Sequence, residues 1–318
     1  MQATPIQFAP HYMERVWGGR RLETLFGRSL PATDHPFGES WELSDRPEAQ
    51  SQVKGGSWAG RSLHNLWQNE RVPIFGQSLK EHPSPTFPLL MKILDASEDL
   101  SIQVHPPESV AAQLGGEPKT EMWFIAHADP EAKLYVGLRE GADRPSFERS
   151  LRDGTVADVV NVIEAKTGDC LFIPSGRLHA IGKGLVIFEI QQNSDTTYRV
   201  FDWNRVGLDG KARQLHIDES LQSIDFNDHH IEMAQPDAQG QLVTCPDFTV
   251  AQKSDVTHLG TPGENLTVAV LQGQLTLSGT TFGAGDFFLL PACMNEDARQ
   301  IVTTPETTWL EIQIPTSK

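Results

Sequence analysis

The chain has 318 residues, 38% of them hydrophobic and 21% charged, which is room for about two ordinary domains and the balance of a globular rather than a disordered protein. Its 26 basic and 42 acidic residues give a formal charge of −16, which disfavours nucleic acid and anionic membrane surfaces as partners. No apolar run approaches the roughly 18 residues of a membrane span, the first residues lack the basic start and apolar core of a secretory leader, and the three scattered cysteines (Cys170, Cys245 and Cys293) make neither a disulfide framework nor a CxxC knuckle, so a cytoplasmic address is expected.

In chain order, residues 62–69 give a weak helical pattern. Apolar runs broken by Gly, Pro, Asp and Asn then read as short strands at 88–94, 101–104, 122–126, 133–136, 170–173, 186–191 and 198–202. Between them, Pro106-Pro107-Glu108 opens a helix over 109–114, because proline is tolerated and an acid favoured in a first turn. Apolar residues recur at helical spacing over 147–163, interrupted around Gly154, and 218–224 reads as a closing helix. The polar stretch 226–240 marks a boundary, dividing the chain into units 1–230 and 231–318. In the second unit, 266–271, 274–277, 286–290 and 308–314 read as further strands. Many short strands, polar turns and few helices predict a mainly β protein built as a sandwich or barrel, with two units of related style, and exclude a doubly wound nucleotide fold. After residue 230 the only basic residues are Lys253, Arg299 and Lys318, so a site for an anionic ligand belongs in the first two thirds.

Three separated clusters carry metal-binding chemistry. In Gln103-Val104-His105 a strand would place the amide and the imidazole on one face; taken alone, the cluster reads first as a strand end with a hydrogen-bonded histidine. Glu121 stands just before an apolar strand, where an isolated glutamate is ordinarily a solvated turn residue. The stretch from Gly168 to Ala180 is more specific: a strand ends at Pro174, Gly176 makes a tight turn, and His179 follows where it can be aimed back into the β unit. Two neutral imidazoles, one carboxylate and one amide suit Zn²⁺ with room for a water or substrate oxygen, and leave the site net positive.

At these residues the sequence resembles the type I mannose-6-phosphate isomerases, which are cupins. The resemblance rests on Ser-Ile-Gln-Val-His-Pro at 101–106, Lys-Thr-Glu-Met-Trp at 119–123 and Pro-Ser-Gly-Arg-Leu-His-Ala at 174–180. It extends to Trp17-Gly18-Gly19, to Gly38-Glu39-Ser40-Trp41-Glu42 and to the run Gln192–Val200. These appear in the family's order from residue 14 to about 225, with no large helical insertion, as in the short bacterial form. The resemblance implies jelly-roll cupin barrels in a bicupin-like arrangement with a few short helices, and one Zn²⁺ per chain held by Gln103, His105, Glu121 and His179. It further implies catalytic roles for Arg199, Lys119, Asp195 and Glu189, and substrate binding by Lys92 and Ser101, the best phosphate candidates. The activity it implies is interconversion of mannose 6-phosphate and fructose 6-phosphate through an enediol, with a small sugar phosphate as partner. Alternatives are an isomerase for another sugar phosphate, a non-catalytic sugar-phosphate sensor, and an iron-dependent cupin oxygenase, which Gln103 and a phosphate site suit less well. If 186–202 forms two paired strands, Glu189 and Arg199 share an interior, and Asp195 lies where it could orient Arg199. Trp17 and Trp41 read as wall residues, with Glu42 a lining residue by resemblance. The sequence leaves the oligomeric state open between monomer and homodimer.

Overall fold

The computed structural model describes residues 3–31 and 34–315; Lys318 lies outside them. Residues 11–201 build two large antiparallel sheets, beside two small two-stranded ones. One has the strand order Cys170–Ile173, Glu121–Ala128, Leu185–Gln192, Leu89–Ala96, Phe37–Leu43, His11–Gly19. The other runs Val160–Glu164, Lys133–Leu138, His179–Ile181, Ile102–Val104, Tyr198–Phe201.

Side-chain alternation explains how the six-stranded sheet is buried on both faces. Along Leu185–Gln192, Leu185 and Ile187 point towards the five-stranded sheet, where they meet Leu134, Val136 and Ile181. Val186, Phe188 and Ile190 point the other way, against Leu63, Leu66 and Trp67 of the helix Leu63–Asn69 and against Val250, Leu289 and Ile312 of the second unit. Along Leu89–Ala96 the same alternation turns Leu94 and Ala96 inward and Leu89, Met91 and Ile93 outward. Lys92 falls on the inward face, so a lysine is carried into the sandwich by the phase of an otherwise apolar strand.

Helices cover the outer face of the five-stranded sheet. Arg144–Asp153 begins with a capping box between Asp143 and Ser146 and ends at Gly154, whose φ of 71° fits the left-handed cap. The helical pattern expected over 147–163 therefore stops early. A 3₁₀ turn at Val156–Val159 leads into the strand Val160–Glu164, where β-branched Val160 and Val162 favour the extended chain. The expected pairing within 186–202 is also corrected. Leu185–Gln192 pairs with Leu89–Ala96 and Glu121–Ala128, whereas Tyr198–Phe201 pairs with Ile102–Val104 in the other sheet. Residues 193–197 cross from one sheet to the other.

Residues 241–313 form a five-stranded and a three-stranded sheet around Val268, Leu275, Phe282, Phe288 and Trp309. The first unit reaches into this one. Ile6 exchanges backbone bonds with Leu289 (2.8 and 2.9 Å), and Ala292 N donates to Ile74 O at 2.8 Å.

Candidate active site

Two rows of residues in register face each other across the first sandwich. In the five-stranded sheet His179 lies opposite Gln103, which lies opposite Arg199. In the six-stranded sheet the row is Trp123, Glu189, Lys92, Trp41. Between the rows is a cavity of about 280 Å³, at the small end of ligand clefts. Its lining includes Lys92, Ser101, Gln103, Lys119, His179, Glu189, Asp195 and Arg199. Five cationic side chains line it against three carboxylates, so a chain of charge −16 keeps a locally positive pocket.

At one end His105, Glu121 and His179 converge, with one ligand atom of each within 4.8 Å of the others. Glu121 starts its strand opposite Ile173. From Ile173 the turn through Gly176 (φ 91°) crosses to the other sheet, and Gly176 N donates to His105 O at 2.9 Å. That turn delivers His179 next to His105, with ring centroids 4.7 Å apart. His105 Nδ1 is 2.8 Å from Thr196 O and His179 Nδ1 is 2.9 Å from Arg177 O. Only an N–H can bond a carbonyl, so both Nδ1 atoms carry the proton and both Nε2 atoms are unprotonated, as ligation of a metal requires. They lie 3.4 and 3.6 Å from the Glu121 carboxylate.

The residues fit a divalent cation. Glu121 is fully buried, yet neither of its oxygens has a hydrogen-bond partner, nor has His105 Nε2. A native interior leaves such atoms unpaired only where something else satisfies them. Burial, then the Lys119 charge, pushes the His105 imidazole down to about 3, and burial likewise lowers His179, so both rings are neutral. Burial would raise the Glu121 carboxyl, but Lys119 and then His105 hold it well below its ordinary value. Gln103 presents its amide nitrogen to His179 Nε2 at 3.3 Å, while its oxygen accepts from Ser101 Oγ at 3.2 Å. Rotating the amide by 180° turns the oxygen towards the histidines and leaves Ser101 an N–H to accept. Among the described residues no other His, Cys, Asp and Glu group converges in this way.

Lys119 precedes the Glu121 strand rather than belonging to it, yet its Nζ lies 3.1 Å from Glu121 Oε2. Burial opposes its charge, but Glu121, Glu189 and Asp195 outweigh burial and raise its pKa. Glu189 pairs with Lys92 (3.4 Å) and accepts from Trp123 Nε1 (3.1 Å). Burial, then the Glu121 charge, raises its carboxyl. Arg199 donates to Gln214 O at 2.9 Å, and its Nε is buried without a partner. Burial and then Arg213 lower its pKa. Asp195 lines the cavity from an exposed position, and its charge acts on Lys119.

Trp17 walls the cavity and Trp41 stands in the row beside Lys92, while Glu42 points to the opposite face, where it takes bonds from Ser40 and Arg28. Sequence reasoning missed Arg15, Glu39 and Arg213 as lining residues. The first two sit on the strands His11–Gly19 and Phe37–Leu43, where polar residues on both faces hide the strand alternation. The one available signal was the two-residue spacing of Glu39 and Trp41.

Comparison with known proteins agrees with this architecture. The family model described as phosphomannose isomerase type I, catalytic domain, matches residues 6–119. Mannose-6-phosphate isomerase ManA of Bacillus subtilis is 34% identical over 93% of this chain and 96% of its own length. Mannose-6-phosphate isomerase of Streptococcus mutans is 36% identical over 91% and 93%. The crystal structure of the mannose 6-phosphate isomerase from Bacillus subtilis superposes with a TM-score of 0.83 at 30% identity, covering 98% of this chain and all of that one. Among the described residues no helix is long and apolar enough to cross a membrane. Matched nearly end to end by such relatives, and folded in the same cupin-type way, the chain belongs to the mannose-6-phosphate isomerase family of enzymes.

Proposed function

We propose that this enzyme interconverts mannose 6-phosphate and fructose 6-phosphate in the cytoplasm, with one Zn²⁺ per chain held by His105, Glu121, His179 and Gln103. Residues 1–230 are the catalytic unit and 231–318 a supporting β unit. The observation that carries the reading is the buried carboxylate of Glu121, ion-paired with Lys119 but accepting no hydrogen bond, facing the Nε2 atoms of His105 and His179 beside a cationic cavity that His179 lines. When bound, the zinc supplies Lewis-acid polarisation of sugar oxygens.

The remaining chemistry falls to side chains. Lys92 and Ser101 bind the phosphorylated substrate, a cation and a hydroxyl suited to phosphate oxygens. Once the ring has opened, the C2 proton must leave, an enediol must form and a proton must return to C1. Glu189 is the carboxylate suited to take the carbon-bound proton, because burial and the Glu121 charge raise its pKa towards the working range of a general base. Lys119 stays protonated and donates to a sugar oxygen. Arg199, its Nε free of protein partners, stabilises the developing enediolate in a site with little water. Asp195, exposed at the mouth, handles a hydroxyl proton during ring opening.

The test is purified protein with mannose 6-phosphate, and with glucose 6-phosphate in a parallel arm, following fructose 6-phosphate. Activity should vanish with a chelator and return with zinc, and in D₂O the product should carry deuterium at C1. Zinc-loaded, folded protein that leaves mannose 6-phosphate unchanged would sink the assignment.

A further inference from the structure

We propose that Glu39 is a positioning residue that holds the Lys92 ammonium at its working place through the Trp41 indole. The inference rests on the isomerase reading, in which Lys92 binds substrate. Lys92 is almost fully buried, and two groups hold its Nζ. On one side is Glu189 Oε1 at 3.4 Å; on the other is the face of Trp41, with its centroid at 4.9 Å, a cation–π geometry. Both are register neighbours of Lys92 across the sheet, so the backbone sets where they start. It does not set the rotation of the indole.

Glu39 sets that rotation. Its Oε2 accepts the Trp41 Nε1–H at 2.6 Å. The same carboxylate is itself fixed by Arg15, whose Nε and Nη2 donate to its two oxygens at 3.1 and 3.0 Å. This two-pronged clamp leaves Glu39 one orientation and the indole one plane. Burial would raise the Glu39 carboxyl, but Lys92, then Arg15, hold it down at about 2, so it is ionised throughout the working range. Arg15, Glu39, Trp41 and Lys92 thus form a relay from the cavity rim to the ammonium. An ångström of drift at Lys92 is enough to matter, since misplaced groups lose catalytic advantage steeply.

A double-mutant cycle tests this, read as kcat/KM for mannose 6-phosphate. Glu39→Ala should cost about ten-fold in the wild-type background and little more in Lys92→Ala. Glu39→Gln, which keeps an acceptor for the indole N–H, should recover most of the loss. A merely structural Glu39 would cost the same in both backgrounds, and that result would overturn the proposal. Trp41→Phe keeps a ring but removes the N–H, and covers the case where Glu39→Ala does not fold. It should reproduce the loss, and Glu39→Gln should add nothing to it; wild-type activity in Trp41→Phe would also overturn the proposal. Acylation of Lys92, followed by mass spectrometry, needs no turnover. Its rate should rise several-fold in Glu39→Ala and Trp41→Phe but not in Glu39→Gln, and an unchanged rate in both counts against the relay. Absence of isomerisation by the wild type would strike the functional reading, while the labelling would still decide the relay.

Discussion

Zinc should stabilise the folded chain, and replacing Glu121 should remove the effect. The ligands we propose for it come from positions 103, 105, 121 and 179 and from two different sheets, so the unfolded chain offers no comparable site. Binding to the folded state alone adds about 2.7 kcal/mol when free metal is at one hundred times its dissociation constant. For 318 residues the unfolding entropy is about 0.7 kcal/mol per kelvin, from about 2.1 cal/mol/K per residue. The melting temperature should therefore rise by about 4 °C at that concentration, and by about 2 °C for each further tenfold. The assay is thermal unfolding of metal-stripped protein across a zinc series, with bound zinc counted at one per chain. Glu121→Gln keeps the shape of the side chain but removes the charge that offsets desolvation of the ion, so its melting temperature should not respond. A wild type indifferent to zinc, or a folded Glu121→Gln protein that shifts equally, would refute the reasoning.

Other substitutions probe the cavity and its frame. Lys92→Ala should raise KM for mannose 6-phosphate by about 10- to 100-fold, the worth of a charged hydrogen bond, while leaving KM for free mannose nearly unchanged; equal effects on both would count against a phosphate contact. Glu39 has a folded pKa of about 2 against 4.5, so its contribution of about 3 kcal/mol is complete above pH 4.5 and is lost as pH falls from there to about 2. Urea unfolding at pH 6 and pH 3 should show about 2 kcal/mol of that loss in the wild type and a smaller one in Glu39→Gln. Gly18→Ala should destabilise by about 1–3 kcal/mol, because the new Cβ would sit 2.4 Å from Gly38 N and 2.5 Å from the Phe37 carbonyl carbon, backbone atoms that cannot step aside; an unchanged urea midpoint would show that the strands have room.

What could be read in the sequence follows from how locally each feature is encoded. Strands such as Leu89–Ala96 and Leu185–Gln192 announce themselves because both faces are apolar, which makes a continuous hydrophobic run. His179 was legible because the proline, glycine and histidine that shape its turn lie within six residues. The strands that carry Arg15 and Glu39 were silent, since their inward faces are polar for the sake of the cavity. The crossing at 193–197 was misjudged because a tight polar turn looks the same whether it closes a hairpin or changes sheets. Arg213 was invisible for a related reason: it reaches the cavity through Asp202, which takes bonds from both Arg205 and Arg213, a contact no local pattern records.

The ladder between Ile6 and Leu289 joins positions about 280 residues apart. On a ribosome adding about 5–20 residues per second, that partner emerges roughly 15–60 s after the first strand has left the tunnel. Until then Phe8 can already pair with Val53, but the backbone of Ile6 lacks its final partner. Closure of the seam between the two units thus waits for synthesis of the strand that carries Leu289, and a nascent chain stalled before it would leave the Ile6 backbone unpaired.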